Sequence, residues 1–472
     1  MLHSGQHIHI IGIGGFGMSA IARVLLQQGY VVSGSDLHTN DLTRELAASG
    51  VTVYEGHAAD NVRGADVVAI SSAVPDSNPE AAEARAQGLP VLRRRDLLGA
   101  LMADRVGIAV AGTHGKTTTT ALLAHTLIEA GRDPTYIVGG VMQNTGTNAG
   151  VGAGPEFVIE ADEYDRMFLG LRPKIAVVTN VEHDHPDCYP TWGEMAAAFE
   201  AFVHLLPQDG LLVVCADDEP AFALGKERWR TGGPVSSYGT GTASGDWTAT
   251  EVDPDPAGGM RFNVRRGGQF GSVVGNVHLA LDGQHNVQNA LAVVAVASHL
   301  GVPFETIAAA FASFQGTRRR GEAMGQAGGV TVISDYAHHP TAIRVTLEAH
   351  RQRPGVRDLW AVWQPHTYGR LRALATDFTW CFSRADHVLV TDVYSVREQV
   401  SPGLDARGMA DLIRRTDHPD ARYTGAFGAT AETLAREVQP GDVVLILSAG
   451  DAPEIGRRLL ATLAAGSGEA LR

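Results

Sequence analysis

The run Ala111-Gly-Thr-His-Gly-Lys116-Thr-Thr-Thr-Thr120 sets two glycines, a histidine, a lysine and five hydroxyls between the apolar stretch Val106-Gly-Ile-Ala-Val110 and the helix-compatible Ala121-Leu-Leu-Ala124. Strand, glycine turn and helix in that order make a phosphate cradle. Backbone N–H groups point at anionic oxygens, the helix dipole favours negative charge, and the lysine adds a full positive charge. The spacing points to a nucleoside triphosphate. One position departs from G-x-x-x-x-G-K-[ST]: Val110 stands where the first glycine belongs, with Gly112 two residues later. An ordinary glycine turn is the competing reading, and the strand-to-helix setting of Gly115-Lys116-Thr117 outweighs it. Only Lys116, Lys174 and Lys226 occur against 35 arginines, so a lysine in that turn is not a casual choice. As the side chain would serve an anion and not a core, Lys116→Ala is expected from the sequence to remove turnover and leave the fold intact.

Two acidic clusters follow. Phe157-Val-Ile-Glu160-Ala-Asp162-Glu163-Tyr-Asp165 reads as a strand ending in four acids, and Ile175-Ala-Val-Val-Thr179-Asn180-Val-Glu182-His183-Asp184-His185-Pro-Asp187 as one ending in acids and histidines. On one parallel sheet these ends lie beside the phosphate loop. Glu160 and His185, with the Thr117 hydroxyl, could hold a magnesium ion bridging phosphates. A zinc site from His183, His185 and Asp187 is the weaker alternative in so oxygen-rich a setting, and each cluster could also be a solvated loop.

The chain opens on His7-Ile-His-Ile-Ile-Gly12-Ile-Gly14-Gly-Phe-Gly17, a strand running into a G-x-G-x-x-G turn, with Asp36 placed 19 residues after Gly17 at the end of the next strand. Those glycines allow close approach of a pyrophosphate and the acid suits a ribose hydroxyl, so NAD or a UDP-sugar would satisfy the pattern. Ser71-Ser-Ala-Val-Pro75 follows a third strand, where open α/β sheets bind ligands. Farther on, Leu281-Asp-Gly-Gln-His285-Asn286-Val-Gln-Asn289 reads as an N-capped helix with His285 and Asn289 one turn apart. They could meet a purine ring, although a polar helix face is the better reading on chemistry alone.

These groups need α/β elements to hold them, and 472 residues suggest about three domains. With 44% hydrophobic and 19% charged residues there is ample core material. A net charge of −14 argues against a nucleic-acid or anionic-membrane partner. With no run of 18 apolar residues and no leader pattern, the chain is expected to be cytoplasmic. Cys188, Cys215 and Cys381 are too scattered for a disulfide framework. Strand-like and helix-like segments alternate through residues 1–104 and 105–314, with small antiparallel strands or loops expected over 240–275. Residues 315–472 offer four apolar strands, starting at Val330, Leu359, His387 and Asp442, and suggest a second doubly wound sheet. The expected fold is α/β with three domains: N-terminal Rossmann-like, central P-loop ATPase-type and C-terminal Rossmann-like.

In order along the chain, GIGGFGMSA, GTHGKTTTT, EADEYD, TNVEHDH, DGQHNVQNA, an RRR turn, DYAHHP, QPHTYGR and LSAGD resemble the motif series of the Mur ligases over essentially all 472 residues. The resemblance implies an N-terminal domain holding the UDP moiety through Gly12, Gly14, Gly15, Phe16, Gly17, Met18, Ser19, Asp36, Ser71 and Ser72. It implies ATP on Gly112, Thr113, His114, Gly115, Lys116, Thr117 and Thr118, with His285 and Asn289 at the adenine and Arg319, Arg320 and Asp335 reaching in from the third domain. Magnesium would lie on Thr117, Glu160 and His185. His366, Tyr368 and Arg370 would approach the amino acid, and Lys116, His185, His366 and Arg370 would carry the chemistry. The member it most resembles joins L-alanine to UDP-N-acetylmuramate through an acyl phosphate in peptidoglycan precursor synthesis, as a monomer or homodimer. Tyr164, Ser334, Thr367 and Gly369 depart from the family's frequent residues. No lysine lies between Lys174 and Lys226 to be carbamylated as in several members, which fits an alanine-adding enzyme. The alternatives are a tripeptide-recycling ligase of the same family, an NAD(P)-dependent oxidoreductase and a non-catalytic nucleotide switch.

Overall fold

The computed structural model describes residues 3–71, 73–75, 77–241, 245–395, 403–416 and 418–469. Three separate sheets follow one another along the chain. The first contains β1 (His7–Ile11), β2 (Val31–Asp36), β3 (Thr52–Glu55), β4 (Val67–Ile70) and β5 (Val91–Arg93), all parallel, in the order β3-β2-β1-β4-β5. The order reverses between β1 and β4. Gly12 and Ser71, which follow those two strands, therefore meet at the point where such sheets bind ligands.

The second sheet contains β6 (Val106–Ala111), β7 (Thr135–Ile137), β8 (Ala149–Gly150), β9 (Glu156–Glu160), β10 (Ile175–Val178), β11 (Leu211–Cys215), β12 (Val235–Gly239), β13 (Trp247–Pro254), β14 (Met260–Arg266) and β15 (Ser272–Leu279). Their order is β15-β14-β13-β12-β11-β10-β6-β9-β7-β8. Strands β6, β9 and β10 are nearly unbroken apolar runs because helices cover both faces. Their register sets Val110 beside Glu160 and Ala111 beside Val178, so the phosphate loop and both acidic clusters emerge level with one another. The glycine- and threonine-rich stretch expected as small antiparallel strands is β13 to β15, which extend this sheet as a meander.

The third sheet contains β16 (Glu322–Ala327), β17 (Val330–Asp335), β18 (Leu359–Trp363), β19 (His387–Thr391), β20 (Ala421–Gly425) and β21 (Val443–Leu447), in the order β16-β17-β21-β18-β19-β20. It has six strands where the apolar runs indicate four. The two extra ones, β16 and β20, are edge strands with polar sequences, EAMGQA and ARYTG, which carry no apolar signature.

One apolar core runs without interruption from the first unit into the second, joining Leu97, Leu98 and Leu101 with Met167 and Phe168. The cores of the third unit contain only its own residues. Polar ties join the third unit to the second: Arg353 to Asp282, Arg320 to Thr117, Thr341 to Glu182 and Arg370 to Asp184. Among the described residues no helix is long and apolar enough to cross a membrane.

Candidate active site

All three units line one cleft of about 1900 Å³. Pockets for a single small ligand measure roughly 300–1,000 Å³, so this one has room for two substrates side by side. Its floor is the loop between β6 and the helix Lys116–Glu129. Gly112 (φ 139°) and Gly115 (φ 81°) turn the chain there, and a Cβ at Gly112 would collide with Thr179. The loop is braced from β10: Asn180 Oδ1 accepts from His114 N at 2.8 Å, and its Nδ2 donates to His114 O at 3.1 Å. Thr113, His114, Gly115, Lys116, Thr117 and Thr118 all face the cleft, as the motif implies. First-turn N–H groups of the helix have no intrahelical partner and are available to an anion.

Lys116 Nζ donates to Gly112 O (2.6 Å), Thr113 O (3.1 Å) and Glu163 (2.9 Å to Oε1). Burial alone would lower the lysine pKa, but Glu163, Asp162 and Glu160 together raise it, so the charge is held. Burial alone would raise Glu163, and Lys116 and His185 bring it below the ordinary carboxylate range. Lys174 and Lys226 pair with Asp209 and Glu219 at the surface, leaving Lys116 as the lysine of the site.

Thr117 Oγ1 donates to Glu160 Oε1 at 3.1 Å and accepts from Arg320 Nη2 at 3.2 Å. Glu160 also accepts from Gly139 N at 2.7 Å, and burial pushes its pKa up. A hydroxyl and a buried carboxylate in contact are hard oxygen donors of the kind a magnesium ion takes. His185, the third expected ligand, rests with Nε2 3.5 Å from Glu163 Oε1. The zinc alternative fails: His183 donates to Tyr189 O and Asp187 accepts from Tyr164 Oη. Among the described residues the set of His, Cys, Asp and Glu that converges most closely is His114, Glu182 and His339, with ligand atoms within 4.8 Å. Hydrogen bonds account for it: His114 Nε2 lies 2.8 Å from Glu182 Oε2, and Thr341 donates to Oε1 at 2.7 Å.

From the third unit, Arg370 Nε and Nη2 donate to Asp184 Oδ1 at 3.0 and 2.7 Å, and Nη1 lies 2.8 Å from His366 Nδ1. Tyr368, expected at the amino acid, sits at the start of the helix Tyr368–Ala373 and is not among the cleft-lining residues, whereas His366, Thr367, Gly369 and Arg370 are. The RRR turn divides its roles. Arg320 reaches Thr117 of the phosphate loop, while Arg319, which also lines the cleft, donates through Nη2 to Ser448 O and Gly450 O of its own unit. Asp335 accepts from Gly321 N and Ala337 N and so shapes that turn.

His285 and Asn289 both line the cleft. The helix Gln284–His299 is capped by Gly283 without a side-chain bond, in place of the expected side-chain cap. Asn289 accepts from Thr119 and donates to Asn286, packing beside Gly115. In the first unit Gly15, Phe16, Gly17, Met18 and Ser71 line the cleft, whereas Gly12, Gly14, Ser19 and Asp36 shape the turn from behind. Asp36 Oδ2 accepts from Gly14 N at 2.8 Å, and the Ser19 hydroxyl donates to Phe16 O. Ser72 lies outside the described residues. Asn180, Glu182, Asp184, His338, His339 and Arg94 are the site residues that motif reading left without a role. All but Arg94 fall inside motifs already singled out.

His285, His339 and His350, together with His338, are held neutral in this region. Burial lowers His285 to about 4, His339 to about 4 and His350 to about 3. A depressed histidine stabilises the fold above its unfolded value near 6.5 and surrenders that stability as pH falls through the folded value. The thermal midpoint is therefore expected to drop steadily from about pH 6.5 to pH 4. Glu182, brought down to about 2 against burial chiefly by its bond to His114, adds its own loss only below about 4.5. Thermal unfolding followed by circular dichroism across that range checks this; a flat profile above pH 4.5 would refute the neutral imidazoles.

Fold and site together define a three-domain α/β protein with a phosphate-loop cleft shared by all three units. Descriptions of the Mur ligase family, catalytic domain, the Mur ligase middle domain and the Mur ligase, glutamate ligase domain match residues 7–106, 110–297 and 319–450. The chain belongs to the Mur ligase family. A UDP-N-acetylmuramate–L-alanine ligase of Desulfatibacillum aliphaticivorans is 42% identical over 98% of this chain and 100% of its own length. One from Renibacterium salmoninarum is 44% identical over 97% and 96%. Among solved structures, the UDP-N-acetylmuramate-alanine ligase of Thermotoga maritima superposes with a TM-score of 0.81 at 29% identity, covering 98% of this chain and 100% of that one. A murein peptide ligase of Psychrobacter arcticus gives 0.71 at 28% identity, covering 98% and 99%.

Proposed function

We propose that the protein joins L-alanine to the lactyl carboxylate of UDP-N-acetylmuramate at the expense of ATP, in peptidoglycan precursor synthesis in the cytoplasm. The observation that carries the reading is the end-to-end likeness to alanine-adding relatives, at 42% and 44% identity over nearly the whole chain. Domain boundaries near residues 104 and 314 belong to the same proposal.

In this reading the carboxylate attacks the γ-phosphorus of ATP, ADP leaves, and an acyl phosphate forms. The neutral amine of alanine then adds to the acyl carbon, and inorganic phosphate departs from the tetrahedral intermediate. The first step brings anion to anion, so its barrier is electrostatic. Lys116 and Arg320 sit on either side of Thr117 and screen the repulsion. Thr117 and Glu160, with His185 from its place against Glu163, would hold a magnesium ion, which would supply charge neutralisation at the phosphates. Arg370 and His366 would meet the incoming amino acid from the third domain. Burial holds His338, beside His366, well below the ordinary histidine range, so it enters the amine step neutral.

Phosphate release from ATP with UDP-N-acetylmuramate and single amino acids tests this. Release that requires both the sugar nucleotide and L-alanine is expected. Activity only with a tripeptide would move the protein to the recycling branch, and none with either would overturn the reading.

A further inference from the structure

His366 is held by three neighbours, and one of them, Tyr394, lies outside every motif of the sequence. Arg370 Nη1 is 2.8 Å from the histidine Nδ1. A guanidinium only donates, so Nδ1 accepts and the imidazole carries its proton on Nε2. His338 meets the ring edge-on, with centroids 5.4 Å apart. The Tyr394 ring stacks on the imidazole at 5.8 Å, its plane tilted by 27°.

Backbone fixes that stack. β18 and β19 run side by side, and past their ends the chain pairs once more where His366 meets Tyr394. Tyr394 N donates to Pro365 O at 2.8 Å and Tyr394 O accepts from Thr367 N at 3.1 Å, so the two bonds bracket His366. Thr367 stands at φ 63° and ψ 143°, a strained conformation for a β-branched residue that persists only where its surroundings impose it. Behind the tyrosine comes Gly450. Its backbone is not left-handed, so what it supplies is space: a Cβ there would lie 2.6 Å from Tyr394 Cγ and equally close to Gln364 Oε1. Gln364 is only 4% exposed and is bonded to Ser448, Ala452 and Asp451, which leaves it no room to yield. Tyr394 also lines the cleft. It therefore stands beside His366 as a flat aromatic wall with no slack behind it.

We propose that Tyr394 sets the size limit on the incoming amino acid. This rests on the function proposed above and names the residue behind its preference for a small side chain. With the carboxylate at the His366 N–H and the amine turned toward the phosphate loop, the side chain is directed back onto the third unit. There Arg370 and His338 are polar, and the tyrosine ring is the apolar surface beside them. A wall that cannot retreat accepts a methyl and refuses longer chains, at about 10- to 200-fold in kcat/KM for one methylene.

Phosphate release with L-alanine, L-2-aminobutyrate and L-valine, measured on the parent and on Y394F, Y394L and Y394A, tests the proposal. The parent is expected to favour alanine over 2-aminobutyrate by at least about tenfold in kcat/KM. Y394F should keep that preference, because the ring and not the hydroxyl forms the wall. Y394A should bring the two amino acids within about threefold of each other and admit valine, with Y394L in between, whatever each variant loses in absolute rate. KM for ATP should stay unchanged. If Y394L and Y394A keep the parent's preference, or lose alanine and 2-aminobutyrate in equal proportion or outright, Tyr394 merely supports His366 and the proposal is overturned. A preference altered in Y394F alone, or a parent that uses both amino acids alike, would overturn it as well. A parent that releases no phosphate with any single amino acid would instead defeat the function reading, which separates the two failures.

Discussion

Lys116→Met is expected to lower the rate of phosphate release by about a thousandfold or more and, in the same protein, to cost about 3–5 kcal/mol of stability. The first effect follows from where the charge stands. Lys116 opens the helix behind the phosphate loop, and its Nζ is the charged group held against that loop's own carbonyls. The second effect was not foreseeable from the motif, which presents the lysine as serving only an anion. In the fold its side chain is 13% exposed and its partner Glu163 1%. Removing the lysine leaves a buried carboxylate with His185 as its remaining counter-charge, and breaking one side of a buried pair is far costlier than never having had it. Removing both charges separates the roles. Lys116→Met with Glu163→Gln is expected to regain most of the melting temperature and none of the turnover. Thermal unfolding and phosphate release measured on the single and double variants check this. Single-variant activity within tenfold of the parent would defeat the assignment of Lys116, and a double variant no more stable than the single one would defeat the account of the pair.

Glycines and apolar runs carried most of the fold into view from the sequence. Val106–Ala111 and Val443–Leu447 are strands because both faces are covered, and such strands have to be apolar throughout. The edge strands β16 and β20 were hidden for the opposite reason, since half-solvated edges carry polar residues. At the site, motif reading pointed to Lys116, Thr117, Glu160 and Arg320, and the fold brings these four together at the phosphate loop. It could not tell Arg320 from Arg319, because neighbours in a turn point different ways and only packing shows that Arg320 reaches Thr117 while Arg319 Nη2 holds Ser448 and Gly450. Nor could it separate Asp36 as a ribose contact from Asp36 as a brace for Gly14. Arg94 carried no local signal, since its partner surface, Gly17, lies 77 residues away in the chain.

Asp184→Asn is expected to reduce kcat/KM for alanine by about a hundredfold while each unit stays folded. The reason lies in the loop that follows β10. At alternate positions it carries Asn180, which braces His114; Glu182, which joins His114 to Thr341; and Asp184, which holds Arg370. His185, next along, leans on the carboxylate that holds Lys116. One loop thus supports the phosphate cradle and grips the third unit at two places. Of the two grips, Asp184 to Arg370 is the more buried, with 6% and 5% side-chain exposure, against 41% for Glu182. Burial alone would raise Asp184, yet His185 and Arg370 hold it well below the ordinary carboxylate range, so the attraction is substantial. Among the described residues the third unit shares no apolar core with the second, and polar interfaces of that sort favour relative motion. The energy of the pair therefore acts on the approach of Arg370 and His366 to the phosphate loop and not on the folding of either unit. Small-angle scattering of D184N should accordingly show a larger radius of gyration than the parent, with the unfolding of each unit little changed. KM for ATP should move far less than KM for alanine, because the cradle keeps Asn180 and Glu182. If D184N uses alanine within about threefold of the parent, Asp184 does not position Arg370 for the amino acid.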